Sequence, residues 1–240
     1  MSVAEEQLQQ PATPAGPMIR TLMGVAMLSG LLVVLTFHFT KPYIDENQRR
    51  AIEAALFQVV PGAVTRRDFM VTEKGIFPAT EKKQPGDMRF YAGYDDKGNL
   101  LGIAANTRAQ GYANLIHLLY GYDPVCQCIR GIKVLKLAET PGLGDKIITD
   151  PVFVANFEAL DVRLAEDGKA LANEIVTVKH GSKQNSWEID AISGATISSK
   201  AVGKALNESA KVLLPMLVPH LEAIVTIIDE QVTGGEANNM

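Results

Sequence analysis

The sequence lacks the features that define several large protein classes. It contains only two cysteines, Cys126 and Cys128, among 240 residues, which excludes a scaffold held by several disulfides. Its net charge is −4, whereas a nucleic-acid-binding domain is usually basic, so we expect no nucleic-acid partner. Neither a GxSxG turn nor a GxxxxGK[ST] phosphate loop occurs. These absences argue against standard hydrolases and nucleotide-dependent kinases, and we expect no independent catalytic residue.

Metal-binding patterns are also scarce. The spacing of the four histidines matches no metal site; they are His38, His117, His180 and His220. Cys126 and Cys128 fall where a hairpin turn is expected, and such a pair could bind metal or act in redox chemistry. Thiolate sites usually need more than two ligands, and a disulfide across one residue would be strained. We therefore interpret both cysteines as turn residues and expect no metal, with a redox role as the alternative.

One apolar stretch is long enough to cross a membrane. Residues 21–39 read TLMGVAMLSGLLVVLTFHF and carry no formal charge; as a helix they span about 28 Å, close to the thickness of a bilayer's hydrocarbon core. A cleaved signal peptide would have a shorter apolar core and a small-x-small site after it. We predict an uncleaved anchor at 18–40 in contact with membrane lipid, after a disordered tail at 1–17. Basic residues on both sides leave its orientation open.

The remaining chain mixes strand and helix patterns without regular alternation, which predicts an α+β domain over 43–228 and a flexible tail over 229–240. We expect a helix that starts with a capping box at Asp45 and ends at Pro61-Gly62, a short helix capped by Asp150, and a long helix from about Ser198 that Pro215 and Pro219 interrupt. The predicted strands are 67–72, 88–94, 100–105, 115–120, 131–137, 175–179 and 187–192, with a hairpin turn at 96–99.

Two segments of this domain have weakly similar sequences, which we call the internal echo. Gly93-Tyr94-Asp95 precedes Gly102-Ile103, and Gly121-Tyr122-Asp123 precedes Gly131-Ile132. Two hairpins of similar construction would produce this echo, and so would chance.

The stretch DAISGATISS, residues 190–199, has more small and hydroxyl residues than a strand-to-helix turn requires. Gly194 and Ala195 would let a bulky group approach the backbone, and the start of the following helix would favour a phosphate near Thr196. The alternative is that Thr196 or Ser198 simply caps the helix, and spacing alone favours the cap.

Two motifs together resemble a known family. Residues 190–196, DAISGAT, match the Asp-x-x-Ser/Thr-Gly-Ala-Thr signature of proteins that carry covalent FMN, and residues 137–146, LAETPGLGDK, resemble a second segment of the same FMN-binding domain. With the anchor, the chain resembles the G subunits of Rnf-type (Rsx-type) ion-translocating electron transport complexes up to about residue 210. The C subunit of sodium-pumping quinone reductases shares the threonine motif, but Asp145-Lys146 favours the Rnf type. Two more classes stay open: a structural subunit without flavin and a cysteine-based redox sensor.

The resemblance implies a role for each motif residue. Thr196 would hold FMN by a phosphoester, attached by a flavin transferase of the ApbE type, and Asp190 would serve recognition by that enzyme. The attachment segment would carry only small side chains, at Ser193, Gly194 and Ala195, so that it fits the transferase. The loop expected beside the flavin ring comprises Glu139, Thr140, Gly142, Leu143 and Gly144.

The same resemblance implies the wider function. The chain would relay electrons between ferredoxin and NAD, coupled to ion translocation. It would act with the other subunits of an Rnf-type complex in the inner membrane, with its soluble domain in the periplasm.

Overall fold

The computed structural model describes residues 15–72, 75–79, 87–221 and 224, and it divides into two compact units, Met1–Arg49 and Arg50–Met240. Helix α1, Ala15–Val59, contains Pro42. Among the described residues it is the one helix that is long and apolar enough to cross a membrane, and its apolar window is not buried. The predicted tails at 1–17 and 229–240 lie largely or wholly outside the described residues.

Continuity of α1 corrects the prediction of a second helix that starts at Asp45. The helix passes through Pro42 without ending, so no capping box forms at Asp45. A proline removes a single backbone N–H and can kink a helix without ending it when the turns on both sides are stable.

A seven-stranded antiparallel sheet forms the framework of the second unit, in the order β2-β1-β3-β4-β5-β6-β7. Its strands are β1 (Thr65–Thr72), β2 (Gly75–Pro78), β3 (Met88–Tyr94), β4 (Leu100–Gln110), β5 (Leu115–Asp123), β6 (Cys128–Lys136) and β7 (Leu160–Asp161). The five strands predicted up to residue 137 fall on β1 and β3 to β6. Two further predicted strands fall on β8 (Val176–Val178) and β9 (Glu188–Asp190), which form a separate parallel pair. The α+β prediction is confirmed.

Helix α4, Thr196–Leu217, covers one face of the sheet, which we call the α4 face. Its buried side chains, such as Val202 and Leu206, belong to the same core cluster as Phe90 and Leu118 of the sheet. The helix begins two residues earlier than predicted. It also continues through Pro215 and changes to a 3-10 turn only at Val218–His220, so the predicted interruption at Pro215 is wrong.

The opposite face of the sheet, which we call the α1 face, contacts the last turns of α1. Glycines make this contact possible: a Cβ at Gly121 would overlap the carbonyl oxygen of Val59, and one at Gly102 would lie 3.0 Å from Val60. Gly93 pairs with Gly102, and Gly121 pairs with Gly131. The internal echo therefore marks two hairpins whose glycines leave room for the end of α1.

Two short helices follow β6: α2 (Lys146–Thr149) and α3 (Pro151–Ala155). The side chain of Asp150 accepts hydrogen bonds from the backbone N–H groups of Val152 and Phe153, both at 3.0 Å. The predicted cap with proline at the first helical position is confirmed.

The turn between β5 and β6 carries a disulfide between Cys126 and Cys128. This corrects the interpretation of the two cysteines as unconnected turn residues. Gln127 between them adopts φ 52°, and the two Cα atoms are 5.2 Å apart, within the range that a disulfide spans. Cys126 is exposed and Cys128 is buried.

Candidate functional site

A cavity of about 440 Å³ lies where three segments meet: the 111–114 loop between β4 and β5, the 139–144 loop after β6, and the start of α4. Its lining residues are Tyr112, Glu139, Thr140, Leu143, Gly144, Gly194, Ala195, Thr196, Ile197 and Ser198. The motifs at 137–146 and 190–196, which lie about 50 residues apart in sequence, therefore form two walls of the same cavity. Seven of the nine residues predicted to contact a cofactor line the cavity, whereas Gly142 and Ser193 do not.

Thr196 is the first residue of α4 and is exposed to the cavity. The N-cap is Ala195, which has no side-chain cap, so neither Thr196 nor Ser198 holds the capping position. The first N–H groups of an α-helix have no partner within the helix and carry the positive end of its dipole. Gly194 adopts φ +82°, where an L side chain would be strained. The turn thus presents a hydroxyl beside a helix terminus that favours an anion.

Ser199 holds this turn in place. Its Oγ donates to the carbonyl of Ala195 at 3.0 Å and accepts from the backbone N–H of Ile192 at 3.1 Å. Sequence reasoning missed this role, and the only signal for it is the second hydroxyl of Ser198-Ser199.

Glu139 connects the three segments of the cavity. Its carboxylate accepts hydrogen bonds from the backbone N–H groups of residues 112, 113 and 114, at 3.2, 3.0 and 3.3 Å, and from the hydroxyl of Ser198 at 2.5 Å. Burial opposes ionisation of Glu139, but these hydrogen bonds hold its pKa below the ordinary value. Gly111 and Gly144 leave room for the carboxylate, since a Cβ on them would lie 2.5 and 2.7 Å from its oxygens.

The 111–114 loop is a part of the site that lies outside both sequence motifs, in a segment where residues 113–115 depart from the small residues that the family resemblance implies. Tyr112 lines the cavity with 68% of its surface exposed. The loop is held through backbone N–H groups, which any residue except proline provides, so its own side chains give little sign of its position.

Asp190 lies at the end of β9, outside the residues that line the cavity. Its Oδ1 accepts from the backbone N–H of Gly181 at 2.7 Å, and its Oδ2 is 3.6 Å from Nδ1 of His180. Buried Asn156 bonds the backbone N–H and carbonyl of Asp190, at 3.0 and 3.3 Å. These contacts fix the strand end that leads into the Thr196 turn, and Asn156 is a positioning residue that no sequence motif indicated.

Comparisons with known proteins agree with this geometry. Residues 111–211, which include every residue that lines the cavity, match the family model described as an FMN-binding domain. The chain is 31% identical over 195 residues to the G subunit of the ion-translocating oxidoreductase complex of Methanosarcina acetivorans, covering 80% of this chain and 90% of that protein. It is 30% identical over 197 residues to the G subunit of the Na(+)-translocating ferredoxin:NAD(+) oxidoreductase complex of Acetobacterium woodii, covering 80% and 87%.

A solved structure shares the fold. The crystal structure of Shewanella oneidensis NqrC matches with a TM-score of 0.53 at 18% identity, over 77% of this chain and 99% of that one.

Proposed function

Because this chain belongs to the family of G subunits of ion-translocating oxidoreductase complexes, we propose that it carries electrons through an FMN whose phosphate is esterified to Thr196. The family membership and the apolar helix α1 indicate a membrane-anchored subunit with an FMN-binding domain. The observation that carries the proposal is the position of Thr196, exposed on the wall of the cavity that the two motifs form.

The surroundings of Thr196 suit a phosphoester. The ester retains a negative charge, which the first N–H groups of the 22-residue helix α4 and its dipole would stabilise. Gly194 and Ala195 place little side chain beside the hydroxyl, which leaves room for a transferase to reach it. Ser193 would contribute as a small residue of the same turn.

The cavity suits the flavin ring in size and lining. Its volume lies within the usual range of small-molecule sites, and the apolar side chains of Tyr112, Leu143 and Ile197 stand around it, each about half exposed or more. When bound, FMN supplies one- and two-electron chemistry. The protein's part is to position the ring and set its potential. Glu139 would do this indirectly, because it fixes the loop that carries Tyr112.

We extend the proposal to maturation and partners. A flavin transferase of the ApbE type would form the ester, with Asp190 part of the surface that it recognises; Asp190 lies six residues before Thr196 at a strand end held by Asn156. The relative from Acetobacterium woodii is named as part of a ferredoxin:NAD(+) oxidoreductase, and we propose the same electron transfer for the complex to which this chain contributes. The other subunits of that complex are its partners.

The membrane arrangement is also part of the proposal. Residues 18–40 would anchor the chain in the inner membrane and residues 43–228 would form the FMN-binding domain in the periplasm. A reporter fused after residue 228 reports the side of the membrane on which the domain lies. Activity of a reporter that functions only in the cytoplasm would contradict this arrangement.

The attachment site can be tested by mass. Full-length protein produced together with an active flavin transferase should carry the mass of one FMN on the peptide that contains Thr196, and the denatured protein should fluoresce on a gel. Thr196→Ala should lose both signals. Thr140→Ala is the matched control, since Thr140 lines the same cavity, and it should keep them. A bare Thr196 peptide from such cells would refute the proposal.

A further inference from the structure

The α1 face of the sheet carries basic side chains on three neighbouring strands. Arg108 of β4 lies opposite His117 of β5, and His117 lies opposite Lys136 of β6. Side chains along a strand alternate between faces. Arg108 is four residues from Ala104 and His117 is two residues from Leu119, and both of these apolar residues pack with the end of α1. Arg108 and His117 therefore belong to the α1 face. Lys136 belongs to the same face because it pairs with His117 at a register shift that interrupts the alternation along β6, and the next residue, Leu137, packs against the core on the α4 face.

Two further basic residues extend this group. Arg89 is two residues from Tyr91, which packs with the end of α1, and Lys133 lies opposite Leu119. We call these five residues the basic face: Arg89, Arg108, His117, Lys133 and Lys136.

The charge of the basic face is not balanced locally. The carboxylates that β1 and β5 place on the α1 face are Asp68 and Asp123, which pair with arginines outside the group, Arg66 and Arg130. Within the described part of the chain, no ion pair involves a member of the basic face. Like charges directly opposite each other on a sheet reduce stability. The pKa of His117 is lowered by burial and then by its two basic neighbours.

The basic face lies close to the cavity. Arg108 is four residues before Tyr112, so at about 3.3 Å per residue it lies within about 13 Å of the loop that lines the cavity. His117 is two residues after β5 begins at Leu115, just beyond the same loop. The 111–114 loop, which lines the cavity, therefore adjoins the basic face.

We propose that the basic face is the docking surface for an acidic surface of a protein that exchanges electrons with the FMN of the cavity. Charge complementarity identifies the partner: the chain as a whole has a net charge of −4 and would repel an acidic protein, whereas the local field of the basic face attracts it and orients it towards the cavity. In each encounter one electron passes between the flavin and the partner, with no bond made or broken. This inference rests on the proposed function, because it requires a flavin in the cavity.

The first test does not need flavin. Full-length protein in a neutral detergent at about pH 7 should be retained on a sulfopropyl cation exchanger at low salt despite its net negative charge. The double variant Arg108→Gln/Lys136→Gln should lose this retention. The matched control, Lys169→Gln/Lys204→Gln, removes the same charge from exposed positions outside the basic face and should be retained. Wild-type protein that flows through, or a control that loses retention equally, would overturn the proposal.

The second test uses small oxidants of opposite charge on flavin-loaded, reduced protein. Oxidation by ferricyanide, an anion, should slow about tenfold as ionic strength rises from about 20 to about 200 mM, and hexaammineruthenium(III), a cation, should show no such loss. Arg108→Gln/Lys136→Gln should flatten the ferricyanide response. The net negative charge of the whole protein alone predicts that the ferricyanide rate rises with salt, so such a rise would overturn the proposal. Protein that holds no flavin would instead refute the proposed function, and the retention test would still decide whether the basic face attracts anions.

A third test separates a protein partner from the membrane. Hydrogen exchange of β4 and β5 should be the same in nanodiscs of phosphatidylcholine and in nanodiscs that also contain phosphatidylglycerol. Protection that appears only with the anionic lipid would assign the basic face to the membrane surface and overturn the proposal.

Discussion

Replacing Glu139 with glutamine perturbs the contact that joins the three segments of the cavity. The substitution keeps the size of the side chain and removes its charge. The carboxylate accepts four hydrogen bonds, three from the 112–114 backbone and one from Ser198. A glutamine keeps one acceptor oxygen and presents an NH₂ group in place of the other. An NH₂ at the Oε2 position leaves the N–H of Tyr112 without an acceptor, while the Ser198 hydroxyl can turn and accept; an NH₂ at the Oε1 position leaves the N–H groups of residues 113 and 114 without one. The loop therefore loses one or two of its three hydrogen bonds to this side chain.

The expected loss follows from the exposure of these groups. A net hydrogen bond contributes about 1 kcal/mol, and bonds to a buried charge contribute more. Solvent reaches the loop, so about 1 kcal/mol for each lost bond is appropriate. The opening of the 111–114 loop should become easier by about 1–2 kcal/mol, which corresponds to about 5- to 30-fold faster hydrogen exchange of its amides.

Hydrogen exchange of the full-length protein, read on peptides that cover residues 112–114, measures this directly. The control is Glu174→Gln, which removes a carboxylate that pairs with Lys211 on the surface and should leave these amides unchanged. Unchanged exchange at 112–114 in Glu139→Gln would show that the carboxylate does not hold the loop, and Glu139 would then have no positioning role in the cavity.

The pH dependence of the same amides provides a second check. The pKa of Glu139 is lower in the folded protein than its ordinary value of 4.5. Its stabilising contribution is therefore complete above about pH 4.5 and is lost as the pH falls through the lower, folded-state pKa. Protection of residues 112–114, corrected for intrinsic exchange, should fall in that acidic window in the wild type and stay flat in Glu139→Gln.

Two further pairs of substitutions test the packing of the sheet. Gly121→Ala should lower the free energy of unfolding by about 1–3 kcal/mol in a urea titration, because its Cβ would overlap the last carbonyl of α1. Gly131→Ala should lower it much less, because its Cβ would lie 3.6 Å from α1. Equal losses in the two variants would contradict the close approach of α1 to Gly121. Tyr120→Phe should cost about 1 kcal/mol by the same measurement, because its hydroxyl bonds a buried serine of α4 at 3.0 Å. Tyr94→Phe should cost nothing, because the buried Tyr94 hydroxyl has no partner among the described residues, and a loss as large as that of Tyr120→Phe would show that it has one.

Local patterns predicted the long strands because each contains a run of apolar and aromatic residues that is long enough to be recognised. Strand β3 begins and ends where the pattern places it, at Met88 and Tyr94. Strand β7 has two residues and contains no period to detect. The course of α1 was missed for the opposite reason: Pro42 and the acidic residue after it are strong local signals for a helix boundary, yet the turns on both sides remain helical. Short-range rules cannot weigh a single lost hydrogen bond against a 45-residue helix.

The parts of the site that carry a side-chain motif were predicted, and the parts that act through the backbone or through strand register were not. The 111–114 loop contributes N–H groups, and Asn156 reaches Asp190 from 34 residues away. The basic face is the clearest case. Arg108, His117 and Lys136 are separated by 9 and 19 residues, so nothing in the sequence groups them, and the net charge of −4 points to the opposite sign. Only the pairing of three strands places them side by side. The net charge of the chain therefore does not predict the local electrostatic field at the surface that a docking partner contacts.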